Sequence, residues 1–257
     1  MRLRMGAARK ALIGAAFAAA ADRYEDGAQV QRVVARHLAD LAGRERLAPG
    51  ASILEIGCGT GLLTREISER WPEAELTATD LVPEMVDATA RSGLPARLMA
   101  MDGEAPVFEG QRFDLILSSL AFQWFEDLPL ALARLHALLR PGGSLYFATM
   151  GAESFASWRA AHAEAGLAPG LPDYPALDGL LAQLSVFPDA FACDEHHPLP
   201  VSGGQAILRH FRAIGAHVPR AGYQPLGPAA MRRVIDAFDR GGGTTSYHVL
   251  YGRITHV

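Results

Sequence analysis

Cysteine is almost absent: Cys58 and Cys193 are the only two in 257 residues. Cys58 sits inside a tight glycine loop, a poor place for a bridge, so the chain has no disulfide framework. The expected compartment is reducing and cytoplasmic. Lysine is nearly missing as well, with Lys10 the single one among 24 basic residues. An arginine habit that general makes the identity of any one arginine uninformative. No apolar run approaches the roughly 20 residues a membrane-spanning helix needs, so no membrane partner is expected. Positive charge is in deficit, with a net of −4, which argues against a nucleic-acid partner. His196 and His197 are adjacent and lack a spaced third ligand, so no metal is expected.

What the chain does have is alternation. Residues 52–56 (SILEI), 75–80 (ELTATD), 96–101 (ARLMAM), 113–119 (FDLILSS) and 144–150 (SLYFATM) read as short buried strands. Helical stretches at 62–70, 83–92 and 129–139 separate them, the last stopped by Pro141-Gly142-Gly143. Such alternation with short connections implies an α/β fold, a parallel sheet wrapped on both faces by helices. Ahead of it, Arg2, Arg4, Arg9 and Lys10 precede ALIGAAFAAAA, the outline of a secretory signal. That run is mostly alanine, the best helix former, and an ordinary N-terminal helix is expected instead. A second helix is expected over 29–42, with Val30, Val33, Val34, Leu38 and Leu41 at helical spacing. After Met150 the rhythm breaks into helices punctuated by Gly166, Pro169, Gly170, Pro172 and Pro175. Later come a strand near 192–201, helices over 205–216 and 228–240, and a final strand over 246–256. The whole reads as one domain: an N-terminal helical cap (1–48), a core (49–150), a helical insertion or lid over the mouth of the sheet (151–190) and a C-terminal part (191–257).

Charge is uneven along this plan. From Gln205 to the end seven arginines face two aspartates, +5, which leaves −9 on the rest. A cationic tail can steer an acidic partner, although Arg232, Arg233 and Asp236 are also at helical pairing distance.

The densest signal is EIGCGTG at residues 55–61. Its three glycines fit a backbone that bends sharply and lets a ligand approach. In an open α/β sheet the ligand sits beyond the carboxyl ends of the strands, where this loop lies. A dinucleotide would call for G-x-G-x-x-G, whereas here the third glycine comes one residue early. Asp80 closes the second strand, where a carboxylate can grip ribose hydroxyls. Asp102 and Glu104 follow the third strand, and Glu55 precedes the loop. A ring of acids suits a cationic ligand better than a pyrophosphate. S-adenosylmethionine, with its sulfonium and ammonium, is such a ligand.

EIGCGTG, TATD, AMDGEAP, FDLILSSLAFQW and LLRPGG together resemble the class I S-adenosylmethionine-dependent methyltransferases over about residues 50–150. The resemblance implies a Rossmann-like sheet of seven strands, the last antiparallel. It implies that Gly57, Gly59 and Gly61 pass the methionine moiety, Asp80 binds the ribose, and Asp102, Gly103 and Glu104 border the adenine. Glu55, Cys58, Leu81, Met85 and Ser119 complete the implied cofactor site, and S-adenosyl-L-homocysteine would be the product.

The flanks carry a second, softer resemblance that spans nearly the whole chain. RKALIGAAFAAAADRYEDGAQVQRVVARHLADL, LAFQWFEDL, ILRHFRAIGAH and SYHVLYG are similar to the malonyl-acyl-carrier-protein O-methyltransferases of biotin synthesis. That implies methyl esterification of the free carboxylate of a malonyl thioester, on acyl carrier protein or on coenzyme A, by a monomer. A carboxylate has a pKa well below 7 and needs no general base, and no residue stands out as one. Tyr24, Gln123 and Trp124 are the expected acceptor-side residues, with Arg159 a candidate to pair with the substrate. The alternatives are a methyltransferase of another small acid, such as trans-aconitate, or of another small molecule, and a binding regulator without turnover.

Overall fold

Short β-branched and leucine-rich runs bounded by glycine and proline form the strands, and the structure, a computed structural model, describes residues 2–257. The helices are α1 (Arg2–Ala20), α2 (Tyr24–Gly27), α3 (Gln29–Ala42), α4 (Leu62–Arg70), α5 (Pro83–Arg91) and α6 (Leu128–His136). They continue with α7 (Ala156–Glu164), α8 (Leu177–Leu184), α9 (Gly204–Ala213) and α10 (Pro228–Arg240). The strands are β1 (Ser52–Ile56), β2 (Glu75–Asp80), β3 (Arg97–Ala100), β4 (Phe113–Ser119), β5 (Leu139–Met150), β6 (Phe191–Pro198) and β7 (Ser246–Thr255). They form one seven-stranded sheet in the order β3-β2-β1-β4-β5-β7-β6. The pairs from β3 through to β5 are parallel. β7 runs against its neighbours, because Gly142 and Gly143 pair with His256 at one end of β5 and Gly151 pairs with His248 at the other. The fold class is the expected one, down to the single reversed strand.

The chain divides into two units. One comprises residues 31–149, 177–194 and 250–257, and holds the sheet core. Alternate residues on each strand face opposite sides. On one side Leu54, Ile56, Ile116, Leu145 and Phe147 join Leu132 and Leu135 of α6 and Leu180 and Leu184 of α8 in one apolar cluster. Ile53, Leu115 and Leu117 are fully buried on the other. In α3 the buried stripe is Val30, Gln31, Val34, Ala35, Leu38, Ala39 and Ala42, so Val30, Val34 and Leu38 face inward as expected, while Val33 is 54% exposed and Leu41 is half-buried. The centre of the stripe is shifted toward Ala35, Ala39 and Ala42, because small alanines allow close packing. β5 starts earlier than expected, at Leu139, where it pairs with Phe113 before a register shift brings Leu115 opposite Ser144.

The other unit comprises the residues up to Val30 with 150–176 and 195–249. The insertion read as 151–190 is thus divided, and its second half, with α8, belongs to the sheet core. In this second unit α10 packs on α7 and α9, with Trp158 edge-on to Phe238 at 5.2 Å. Phe155 adopts a left-handed backbone (φ +59°), held by edge contacts to Phe211 and Tyr247.

A buried glycine tests the packing of the sheet core. A Cβ on Gly252 would lie 2.3–2.9 Å from three atoms of the Phe147 ring. Gly252→Ala is expected to cost about 1–3 kcal/mol, seen as a lower urea midpoint with an unchanged slope.

Candidate cofactor site

β1 ends at Ile56 and its continuation must turn at once to start α4 at Leu62. Gly57, Gly59 and Gly61 make that turn at φ +77°, +57° and +92°, a region that other residues rarely adopt. Gly57 has a second reason: a Cβ there would sit 2.5 Å from Ala121 Cβ. At Gly59 a Cβ would meet nothing within 4 Å. Its backbone faces open space, as a ligand-approach position requires.

The loop is pinned to β2. The amides of Gly57 and Cys58 donate to Thr79 O at 2.7 and 2.9 Å, and Thr79 Oγ1 donates back to Glu55 O. Asp80 does the most: Oδ2 accepts from Gly59 N and Oδ1 from Val82 N, both at 2.9 Å. One carboxylate thus ties the loop after β1 to the loop after β2. Burial pushes its carboxyl above the usual range, and those amide bonds pull it back. Leu81, beside it, is 42% exposed and offers an apolar surface at the rim, whereas Met85 is buried beneath. Cys58 is buried, and desolvation pushes its thiol up, leaving it unreactive. Thr89 Oγ1 lies 2.9 Å from Gly59 O and 3.6 Å from Cys58 Sγ.

Glu55 is fully buried. Its Oε2 accepts from Thr64 Oγ1 at 2.7 Å, while Oε1 has no hydrogen-bond partner. Burial, with Asp80 adding repulsion, pushes its carboxyl up to about 8. Thr60 Oγ1 is likewise buried without a partner.

After β3, Asp102 is half-buried and its Oδ1 accepts from Glu104 N. Gly103 is required by contact, since a Cβ would lie 2.4 Å from Ile56 Cγ2. Glu104 has a bracing role: Oε1 accepts from the amides of Glu126 and Asp127 at 2.7 and 2.9 Å, and its carbonyl accepts from Arg134. It fixes the loop leading into α6. Ser119 ends β4 half-buried, and Leu120 after it takes φ +51°. Gln123 and Trp124 lie in a 3-10 turn over Phe122–Trp124 whose Phe122 is anchored against Phe125 and Phe147. The Gln123 amide donates to Leu120 O and approaches Thr149 Oγ1 at 3.5 Å.

The remaining expected residues lie in the other unit. Tyr24 begins α2, its ring 6.4 Å from Phe17. Arg159 braces the 165–175 segment: Nη2 donates to Pro172 O at 2.7 Å, Nε to Ser154 O, and the guanidinium lies over the Tyr174 ring. His196 stacks on His248 and lies 3.2 Å from Glu153 Oε2, while His197 lies 3.6 Å from Glu195 Oε2. Sequence reasoning missed the threonine shell of Thr60, Thr64, Thr79 and Thr89. The sequence shows them only as hydroxyls in otherwise apolar strands and helix faces, and their partners lie elsewhere in the fold.

Residues 53–143 match the model of the methyltransferase domain family. The chain is 46% identical over 238 residues to the biotin biosynthesis bifunctional protein BioCD of Bordetella avium, covering 92% of this chain and 50% of that protein. The chain thus spans half the length of that relative. It is 40% identical to the malonyl-[acyl-carrier protein] O-methyltransferase of Magnetococcus marinus, covering 90% of this chain and 88% of that one. The chain belongs to the malonyl-[acyl-carrier protein] O-methyltransferase family. Among solved structures, the YcgJ protein from Bacillus subtilis superposes with a TM-score of 0.59 at 17% identity, over 86% of this chain and 99% of that one. The plantazolicin methyltransferase BpumL, in complex with a monoazolic desmethylPZN analog and SAH, gives 0.57 at 15%, over 98% and 100%. These two share the fold.

This methyltransferase uses S-adenosylmethionine, and its residues fit that cofactor. The buried Glu55, with one oxygen unpartnered among the described residues, and the half-buried Asp80 border a glycine backbone open on its ligand side. Such a lining favours a cation and disfavours a pyrophosphate.

Two glycine substitutions should separate ligand contact from folding. Gly59→Ala is expected to leave the fold at a cost of about 1–2 kcal/mol and to abolish cofactor binding by calorimetry. Gly57→Ala is expected to lower Tm more, because Ala121 blocks the new methyl.

Proposed function

We propose that this methyltransferase esterifies the free carboxylate of a malonyl thioester carried on acyl carrier protein, an early step of biotin synthesis. The observation that carries the reading is 40% identity across nine-tenths of the chain to a malonyl-[acyl-carrier protein] O-methyltransferase. Bound in the pocket, S-adenosylmethionine supplies an electrophilic methyl group on a sulfonium. The protein's share is to hold, align and dry. Asp80 and the glycine loop hold the donor, with Leu81 against its base. Asp102 and Gly103 border the adenine, and Ser119 closes the cofactor side.

Gln123 and Trp124 form the acceptor-side wall of the sheet unit. The Gln123 amide is already oriented by Leu120 O and Thr149, so it meets an acceptor without first being ordered. Tyr24 is proposed as a further acceptor residue. No proton has to move, since the acceptor oxygen is already ionised at neutral pH. The histidines fit this account: His136 packs between the rings of Phe187 and His256, and burial holds it below its ordinary range.

A carrier protein of acidic character would meet an exposed basic surface. Arg209 and Arg212 of α9 and Arg232 and Arg233 of α10 are all exposed. The enzyme is taken as a cytoplasmic monomer, and no helix among the described residues is long and apolar enough to cross a membrane.

Labelled S-adenosylmethionine with malonyl-carrier protein, succinyl-carrier protein, malonyl-coenzyme A and free dicarboxylic acids tests the reading. Base-labile label confined to malonyl thioesters is expected. Equal labelling of unrelated acids, or no label on any acceptor, would reject it. Gln123→Ala should lower kcat about 100-fold, the scale of a misaligned reacting pair, with cofactor affinity unchanged. Arg232→Glu with Arg233→Glu should raise KM for the carrier protein and leave KM for malonyl-coenzyme A as it was.

A further inference from the structure

Arginine is too common in this chain to mark a site by its presence, but the partners of three arginines set them apart. The segment 165–175 of the second unit has no regular structure, and arginines hold it in place. Arg159 Nη2 donates to Pro172 O at 2.7 Å and Nε to Ser154 O, with the guanidinium 5.8 Å from the centre of the Tyr174 ring. Arg220 holds the other half: its amide donates to Gly170 O at 2.8 Å and its Nε to Pro169 O at 3.4 Å. Pro169 and Pro172 are three residues apart, so both guanidinium groups grip one stretch of chain about 11 Å long at most. Arg9 of α1 is close enough to act on the Tyr174 phenol.

These partners are all neutral. Among the described residues no carboxylate forms an ion pair with Arg9, Arg159 or Arg220, and the one acid of the segment, Asp173, is exposed. All three arginines are half-buried, and Arg159 Nη1 and both Nη nitrogens of Arg220 keep N–H groups to donate. Burial pushes the Tyr174 phenol up to about 12, against the pull of Arg159 and Arg9, so it too is a donor at neutral pH. Half-buried cations and a phenol without a counter-charge suit an oxyanion. A thioester acceptor offers two. Its acyl carboxylate is the nucleophile, and a fork of N–H donors on it would tie up the lone pair that attacks. The phosphate at the far end of the pantetheine arm, which acyl carrier protein and coenzyme A share, takes no part in the reaction and is held without that cost.

We propose that Arg9, Arg159, Arg220 and the Tyr174 phenol form a phosphate site for the pantetheine arm of the acceptor. The site makes and breaks no bond; it anchors the arm and lowers KM. The inference rests on the acceptor being a thioester of such an arm, as proposed above, and not on the acyl group being malonyl.

Calorimetry of the enzyme saturated with S-adenosylhomocysteine, titrated with 4′-phosphopantetheine and with pantetheine, tests the site without any acyl group. The wild type is expected to bind the phosphorylated arm about tenfold more tightly, the scale of a hydrogen bond to a charged group. Arg9→Gln, which breaks no hydrogen bond among the described residues, and Tyr174→Phe should each shrink that preference, and Arg220→Gln should do so as well. Equal binding of the two arms by the wild type, or a preference unchanged in Arg9→Gln and Tyr174→Phe alike, would overturn the proposal. Turnover separates it from the malonyl reading. Malonyl-pantetheine and malonyl-4′-phosphopantetheine methylated with the same KM would sink the phosphate site and leave that reading intact. Preferred binding of the phosphorylated arm with no label on any malonyl thioester would do the reverse.

Discussion

The site depends on what Asp80 does with its two oxygens. A carboxylate at the end of β2 accepts one amide from the glycine loop and one from the loop that opens α5. Charge-assisted bonds of this kind are about twice as strong as neutral ones. They are also directional, so the two loops that must flank a ligand are set at a fixed spacing before it arrives. The spare lone pairs of the same group are the ones proposed to accept from ribose hydroxyls. Without Asp80 the Gly59 amide would lose its partner, and the alternating left-handed glycines would rely on Thr79 O at Gly57 and Cys58 and on the Thr89 hydroxyl at Gly59 O.

Around this tie the structure distributes tolerance unevenly. Gly57 and Gly103 sit where a methyl would strike Ala121 or Ile56, so the walls behind the ligand are as tightly packed as the core. Gly59 sits where a methyl would strike nothing in the protein. Glu104, read from the sequence as a neighbour of the adenine, spends its visible bonds on the amides of Glu126 and Asp127. An acid at a strand end can therefore serve the ligand or the scaffold, and its hydrogen-bond partners distinguish the two. Asp80 serves both.

Most of the sheet was legible in the sequence because its cues are local. SILEI, ELTATD and FDLILSS begin and end where β1, β2 and β4 do, as their period and flanking glycines and prolines suggest. The shift of the α3 stripe toward its alanines was not legible, since alanine carries little hydrophobic contrast yet packs closest. The early start of β5 was hidden by Pro141-Gly142-Gly143, which reads as a stop but here accompanies a register shift. The loop glycines and Asp80 were legible as a pattern. The threonines that hold Glu55, Cys58 and Gly59 were not, because a buried hydroxyl is informative only once its partner across the fold is known. Arg159 shows the same limit: the acceptor's charge and a place in the insertion made it a candidate for the substrate, and two of its nitrogens bind backbone carbonyls of its own unit.

The acids at the strand ends also bear on which ligand suits such a loop. Burial holds the Glu55 carboxyl up to about 8 and that of the half-buried Asp80 above the usual range, so both resist ionising in the ligand-free fold. A phosphate would bring negative charge beside them, whereas a cation would favour their ionised form, most strongly where water is excluded. The apolar cluster of Leu54, Ile56, Ile116 and Phe147 beneath the strand ends makes a poorly solvated acid tolerable, since the fold draws its stability from there.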